Sequence, residues 1–404
     1  MAESLIRSGA SVDTAKQKTW DALVARSEAT PIDTTPPPRG GNFSNPIPYG
    51  GHGGQFVNAA SDALAARMGA APKDAHPAMC DFQDTSLIGM AAMCLNAAGR
   101  HTLGVSRTKL VQMAMTTSDF PDLLSGTANK SLTTRFEAMA EDHRQFCESA
   151  NLPDFKPASA VNVSLLPGLV LKPEAAEIQY GALSDGAETY KLATYARGLS
   201  LSREAIINDD LQAFSSLIAA AANASARLER DLVFNVLTAN AAMSDGVALF
   251  HATHGNLAAA ADIDVAGLNA ARVLMRQQKD SNGGYVMTQP RFVVCPVLLE
   301  GDAEALLASL SYRPSTDTEV ATPKWIKGLA VVSDPRLDAV SNSTWYLLSA
   351  PNVAPTIRLG YLNNVTTPVV EDDKDFDTDV VRYKIRFDVC AAAVGHAGGV
   401  KVGI

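Results

Sequence analysis

Glu188-Thr-Tyr-Lys-Leu-Ala-Thr-Tyr-Ala-Arg-Gly-Leu-Ser-Leu-Ser202 alternates in character and flows through Arg203-Glu-Ala-Ile-Ile-Asn-Asp-Asp210 into a long Ala-rich segment that ends near Asn240. The first part has the two-residue period of a strand. In the second, Leu211, Phe214, Ile218, Ala221, Leu228, Leu232 and Val236 recur at the helical period, which predicts one buried stripe. Asn208 and Asp209 are capping types at its start, and the pair Asp209-Asp210 suits the positive end of the helix dipole. No Pro or Gly interrupts residues 209–239, so a straight rod of about 45 Å is expected. Its middle, Ala219 to Ala222 with Ala224 and Ala226, lets another element approach closely. A helix of this kind reads as a strut and not as the holder of a catalytic group.

The 404-residue chain is long enough for two or three ordinary domains and a sizeable core. With 47% hydrophobic and 19% charged residues it is predicted to be globular. A formal charge of -9 argues against a dedicated nucleic-acid surface, because phosphate contacts need clustered Lys and Arg. The five cysteines, Cys80, Cys94, Cys147, Cys295 and Cys390, form no close pairs, so neither a disulfide framework nor a zinc knuckle is indicated; reduced, mostly buried thiols are expected. The N-terminal residues Met1-Ala-Glu-Ser-Leu-Ile-Arg lack the pattern of a secretory signal, and no apolar run is long enough to span a bilayer, so a soluble protein is expected.

Outward from the central segment, residues 11–27 read as a short amphipathic helix and the Pro- and Gly-crowded stretch Pro31 to Gly54 as a linker. Helices are predicted at 57–69, 85–98 and 106–115, and again from Leu132 to about Cys147. Residues 155–202 read as strand-rich, with a turn at Ser184-Asp-Gly186. Beyond the long helix, the pattern predicts helix 265–279, strand Arg291 to Cys295, helix 297–310 begun by Pro296 and strand Leu329 to Ser333. In the last third, Val381, Tyr383, Ile385, Phe387 and Val389 alternate with Arg382, Lys384, Arg386 and Asp388, one face apolar and the other charged. The fold class is therefore α+β.

Few residues nominate chemistry. His251 and His254 in Phe250-His-Ala-Thr-His-Gly-Asn256 are the best candidate ligand pair, and a protease or metal-dependent hydrolase using them is the alternative reading; the spacing recruits no third ligand, and a turn held by imidazole hydrogen bonds explains it more simply. Asp373, Asp375, Asp377 and Asp379 alternate as in a calcium loop, but Thr378 and Lys384 stand where such a loop needs Gly and Glu, so a solvated turn is expected. Neither a nucleophile elbow nor a phosphate-binding loop is present. The expected inventory is no catalytic, cofactor-binding or metal residue and no cofactor.

Several segments, taken in order, carry a resemblance: Thr116-Thr-Ser-Asp-Phe-Pro121, Asp154-Phe-Lys-Pro157, Gly181-Ala-Leu-Ser-Asp-Gly-Ala-Glu-Thr189, Ala193-Thr-Tyr-Ala-Arg197, Ile206-Ile-Asn-Asp-Asp-Leu211 and Ala248-Leu-Phe-His-Ala-Thr-His-Gly-Asn-Leu257. From about residue 85 onward the chain resembles the major capsid proteins of tailed phages. It is most similar to the Mu-type major head proteins, particularly those encoded as a prohead protease fused to a capsid protein. The resemblance implies a Hong Kong 97-type fold. Residues 1–115 would be an N-terminal extension, 116–154 an arm and 155–200 an extended β-hairpin loop. Residues 201–261 would be a peripheral domain with spine helix 209–239, 262–345 an axial domain, and 346–404 mainly peripheral strands.

The implied function is a self-assembling icosahedral head shell, built of hexameric and pentameric capsomers around double-stranded DNA held without sequence-specific contacts. Portal, prohead protease and decoration proteins are implied partners, with no membrane. The virion, assembled in the bacterial host cytoplasm, is the implied location. A scaffolding or head-completion role is a further alternative. Fused relatives begin with a serine-protease domain that this sequence does not contain. Some relatives cross-link a Lys to an Asn; Lys172 lies in the proposed loop, where a solvated lysine is the default reading.

Overall fold

The structure, a computed structural model, describes residues 53–116, 119–139, 142–163, 185–202, 211–280, 283–309, 311–312, 320–375 and 380–403. The expected helix at 11–27, nearly all of the 31–54 linker, the caps at 208–210 and position 172 lie outside them.

The described part begins with helices α1 (Gly53–Arg67), α2 (Leu87–Ala97) and α3 (Arg107–Met115). Ser86 and Ser106 cap α2 and α3, their hydroxyls accepting the N–H groups of Gly89 and Lys109. These helices pack on α4 (Asp119–Glu137). Lys130 of α4 is tied to Asp62 of α1 at 2.6 Å and donates to Ser61 Oγ at 2.7 Å.

Helix α4 corrects one expectation: the helix expected from Leu132 to about Cys147 runs instead over Asp119–Glu137. Pro121 falls in the first turn, where a missing N–H costs nothing. Phe120, Leu123, Leu124, Ala128, Leu132 and Phe136 then make the buried seam. A short 3-10 turn (Asp142–Phe146) leads into strand β1 (Cys147–Leu152).

Strands β2 (Ala158–Val163) and β3 (Asp185–Tyr190) pair only with each other among the described strands, as the base of a hairpin. Strand β4 (Ala193–Ser202) does not continue that free hairpin: it pairs along its length with Val380–Val389 of a later strand. Helix α5 (Leu211–Ala239) follows, 29 residues long and about 43 Å at the helical rise. Next come β5 (Leu257–Ala258), α6 (Val265–Arg276), β6 (Pro290–Cys295), α7 (Glu300–Ala308), β7 (Ser311–Tyr312), β8 (Val320–Ala321), β9 (Ala330–Ser333) and α8 (Pro335–Asp338). The chain closes with β10 (Trp345–Ser349), β11 (Ile357–Leu362), β12 (Val369–Asp375), β13 (Val380–Ala393) and β14 (Gly399–Val402).

Among the described residues, two five-stranded sheets organise the fold. The first runs β1-β11-β13-β12, with β4 also on β13; β1 and β11 are parallel and the other pairs antiparallel. The second runs β5-β14-β10-β6-β9. Residues after 345 therefore do not all join the first sheet: β10 and β14 complete the second, because their alternating apolar residues fit both of its faces. Phe292, Val294, Tyr346 and Leu348 join one core cluster with α5, while Val293, Cys295, Trp345, Leu347 and Val400 join another with α6. Burial on both faces explains the nearly unbroken apolar runs of β6 and β10.

Strand β13 behaves as its alternation predicts. Tyr383, Ile385, Phe387 and Val389 are buried, with Phe387 edge-on to Phe136 of α4 and Tyr383 against Phe214 of α5. On the opposite face, Glu371 bridges Lys384 and Arg386 at 2.6 and 2.7 Å. The expected solvated turn near Asp373 and Asp375 is instead the end of β12, paired with Arg382 and Val380, because the hairpin ladder extends that far. The amide of Asn129 in α4 gives and receives a bond with Val370, donating to its carbonyl at 2.9 Å and accepting its N–H at 2.7 Å. A side chain thus occupies the place of a neighbouring strand on β12.

Candidate functional site

Helix α5 is the strut that the sequence points to, though its seam is rotated from the expected one. Phe214, Ile218, Ala222, Ser225, Glu229, Val233 and Leu237 are buried, whereas Leu228, Leu232 and Val236 lie half-buried on its flank. Ala222 is fully enclosed, which explains the small residue. The seam has one charged member, Glu229.

Glu229 is 0% exposed. Its carboxylate takes bonds from Arg144 Nε and Nη2 at 2.5 and 2.6 Å, from His143 Nε2 at 2.9 Å and from the Tyr361 hydroxyl at 3.0 Å. The Arg144 guanidinium also lies over the rings of Phe136 and Tyr361. Burial works to raise the Glu229 pKa, but the Arg144 and His143 hydrogen bonds outweigh it and hold the group at about 2. One carboxylate therefore fastens three segments to the strut: the 142–146 turn, β11 and, through Arg144, the ring of Phe136 on α4. In sequence, Arg227-Leu-Glu-Arg-Asp231 resembles a solvated charge run. The available signal was its spacing from Phe214 and Ile218, which places 229 on the buried seam.

The C-terminal end of α5 turns at Asn240, in the left-handed region at φ 45°. Its side chain accepts the Phe250 N–H at 2.7 Å and donates to the Phe250 carbonyl at 3.1 Å. His251 and His254 sit in the segment so anchored, and the structure does not bring them together on one ligand position. His251 Nδ1 accepts the Thr253 N–H, starting a 3-10 turn. His254 contacts the Leu249 carbonyl through Nδ1 and Asp245 through Nε2 at 2.7 Å, and its ring stacks on His396 at 4.3 Å. Burial, and then the neighbouring His254, lower the His396 pKa, while the His254 hydrogen bond lowers that of Asp245. Both imidazoles serve turn geometry. Among the described residues no group of three or more His, Cys, Asp or Glu is arranged to hold a metal.

Cysteine chemistry follows burial. Cys94, Cys147, Cys295 and Cys390 are buried free thiols and Cys80 is exposed. Burial pushes Cys94 and Cys295 up to about 12 and Cys147 and Cys390 upward as well, so these thiols stay protonated. Among the described residues no helix is long and apolar enough to cross a membrane.

The geometry of this region is a buried carboxylate that joins three segments to a long helix packed against two sheets. Residues 186–402 match the family model described as phage capsid protein, and the chain belongs to that family. The matched span covers β3, β4, the strut and both sheets except β1. No curated protein matches the chain. Among solved structures it is similar to the SrpI encapsulin of Synechococcus elongatus PCC 7942, at 11% identity and TM-score 0.43, over 66% of this chain and 88% of that one. It is also similar to the capsid of Myoviridae phage XM1, at 14% identity and TM-score 0.42, over 65% and 90%. A third similarity is to Mycobacterium phage Adephagia, at 11% identity and TM-score 0.41, over 66% and 90%.

Proposed function

We propose that this phage capsid protein is the major shell subunit of a tailed-phage or prophage head, acting by self-assembly of copies into hexameric and pentameric capsomers. The observation that carries the reading is the family match across residues 186–402, which spans the strut and nearly all of the two sheets it joins. The domain plan supports it. Helix α5 and the first sheet serve as a peripheral domain, the hairpin β2–β3 as the base of an extended loop, and residues 262–345, with β10 and β14, as an axial domain of Hong Kong 97 type. The helices at 53–115 cover α4 as an N-terminal extension.

The shell encloses double-stranded DNA without reading its sequence. Portal, prohead protease and decoration proteins are the partners this role requires, and assembly takes place in the bacterial cytoplasm before the virion forms. Negative-stain images and sedimentation of the expressed chain test the reading: closed shells or capsomer sheets support it, and a strictly monomeric chain under every assembly condition overturns it.

A further inference from the structure

Charge is spread unevenly along the chain. It carries -9 overall, yet no Asp or Glu occurs from Thr85 to Ser118, the stretch that supplies α2, α3 and the turn between them. Arg100, Arg107 and Lys109 stand in that stretch, beside His101, and all four are exposed. Other cations of the same helical region are engaged: Lys73 pairs with Glu137 at 3.1 Å, Lys130 with Asp62 at 2.6 Å, and Arg135 donates to Ser215 Oγ at 3.0 Å. Among the described residues, none offers the side chains of Arg100, Arg107 or Lys109 a hydrogen bond or an ion pair.

The turn that carries them has a defined geometry. The Arg100 N–H reaches back to the Leu95 carbonyl at 2.9 Å and Gly99 is left-handed at φ 73°, which closes α2. Thr102 Oγ1 donates to Asn96 Oδ1 at 3.0 Å, Gly104 is left-handed at φ 78°, and the Ser106 cap opens α3. Leu103 lies between them and is 88% exposed, so the turn faces away from the core that buries Leu110, Val111 and Ala114. Arg107 and Lys109, two positions apart in the first turn of α3, leave the helix on different flanks. Arg100 comes from the end of α2. Cations spread in this way do not converge on one small anion. They suit a polyanion with closely spaced charges, and duplex DNA presents one charge per about 1.7 Å of its axis. An acidic protein surface would have to match their spacing, whereas a phosphate backbone meets each cation where it falls.

We propose that the α2–α3 turn is a contact for the phosphate backbone of duplex DNA, made by Arg100, Arg107 and Lys109; it rests on the shell-subunit reading above, which brings such DNA to the subunit. The contact reads no bases, because backbone phosphates carry no sequence information. The rest of the chain is net acidic and repels the duplex, which confines binding to this turn and makes it weaken as salt rises.

Fluorescence anisotropy with a labelled duplex of random sequence tests the contact, using the full chain kept unassembled and checked by sedimentation. Three phosphate contacts give a slope of about -2.7 for log binding constant against log salt, so affinity should fall about fortyfold from about 50 to about 200 mM salt. Arg100→Gln, Arg107→Gln and Lys109→Gln should each reduce that slope by about one, and the triple variant should bind about tenfold or more weakly at about 50 mM with an unchanged thermal melt. A control removes the same charge at exposed positions elsewhere, Arg276→Gln with Lys324→Gln and Lys327→Gln, and should stay within about twofold of wild type. The proposal is overturned if wild type does not bind the duplex, if the triple variant binds as wild type does, or if the control loses as much. A triple variant that keeps its DNA affinity but no longer assembles also overturns it, since the turn then meets another copy of the chain. Particle formation by wild type is scored separately and bears on the shell reading alone.

Discussion

Replacing Glu229 by Gln isolates the charge that rivets the strut. In the folded chain its carboxyl titrates at about 2, against an ordinary 4.5. That gap, 4.5 less about 2, corresponds to about 3 kcal/mol of folding free energy. The folded-state value is depressed, so this stabilisation is complete above pH 4.5 and is lost as pH falls towards about 2. At neutral pH the variant leaves Arg144 and His143 facing a neutral amide, and breaking a buried pair costs about 3–5 kcal/mol. Urea unfolding of wild type and variant, repeated from pH 7 down to pH 2, separates this group from all other carboxylates, which titrate in both chains. The difference between the two proteins should be greatest at pH 7 and shrink by about 3 kcal/mol across the acid range. A difference that stays constant with pH would mean that Glu229 is not held ionised by its neighbours, and the account of the rivet would fall.

Three further outcomes are expected. Ala222→Trp forces a large ring into a fully enclosed position; it should cost about 1–3 kcal/mol or more in stability and reduce particle yield in electron micrographs. Asn129→Ala removes both bonds to Val370 and bares the edge of β12, so aggregation on mild heating should rise, read by light scattering, together with a loss of about 1–3 kcal/mol. Of the five thiols, only Cys80 should react quickly with a disulfide reagent in the native chain, and the other four should appear only with unfolding, followed by absorbance.

The long periodic elements were legible because their period outlasts local noise. The apolar face of β13 and the extent of α5 follow from residues 381–389 and 211–239 almost unaided. The register of the helix seam was less so, since Leu228, Leu232 and Val236 are as apolar as the truly buried Val233 and Leu237, and only tertiary packing decides between adjacent faces. Glu229 was hidden because its partners stand far away in sequence: Arg144 is 85 residues distant and Tyr361 is 132. Helix α4 begins ahead of Leu132, where the sequence pattern predicts it, across Pro121 and Gly126, residue types that disfavour helix interiors. Pro121 sits harmlessly in the first turn, and an added Cβ at Gly126 would only reach ordinary contact with Ser61 at 3.7 Å. The polar strand β1, Cys-Glu-Ser-Ala-Asn-Leu, shows no strong alternation and owes its place to β11. For the candidate site, the bonds of His251 and His254 to Thr253 and Leu249 are local in sequence and so within reach of pattern reading.

Strand β14, Gly399–Val402, lies inside the second sheet between β5 and β10, so two ladders close only when it docks. Until then β5 and β10 each keep an unpaired edge, and pairings of such long sequence separation make closure slow. Loss of this one four-residue strand would leave both edges open and the core around Val400 and Val402 unfilled.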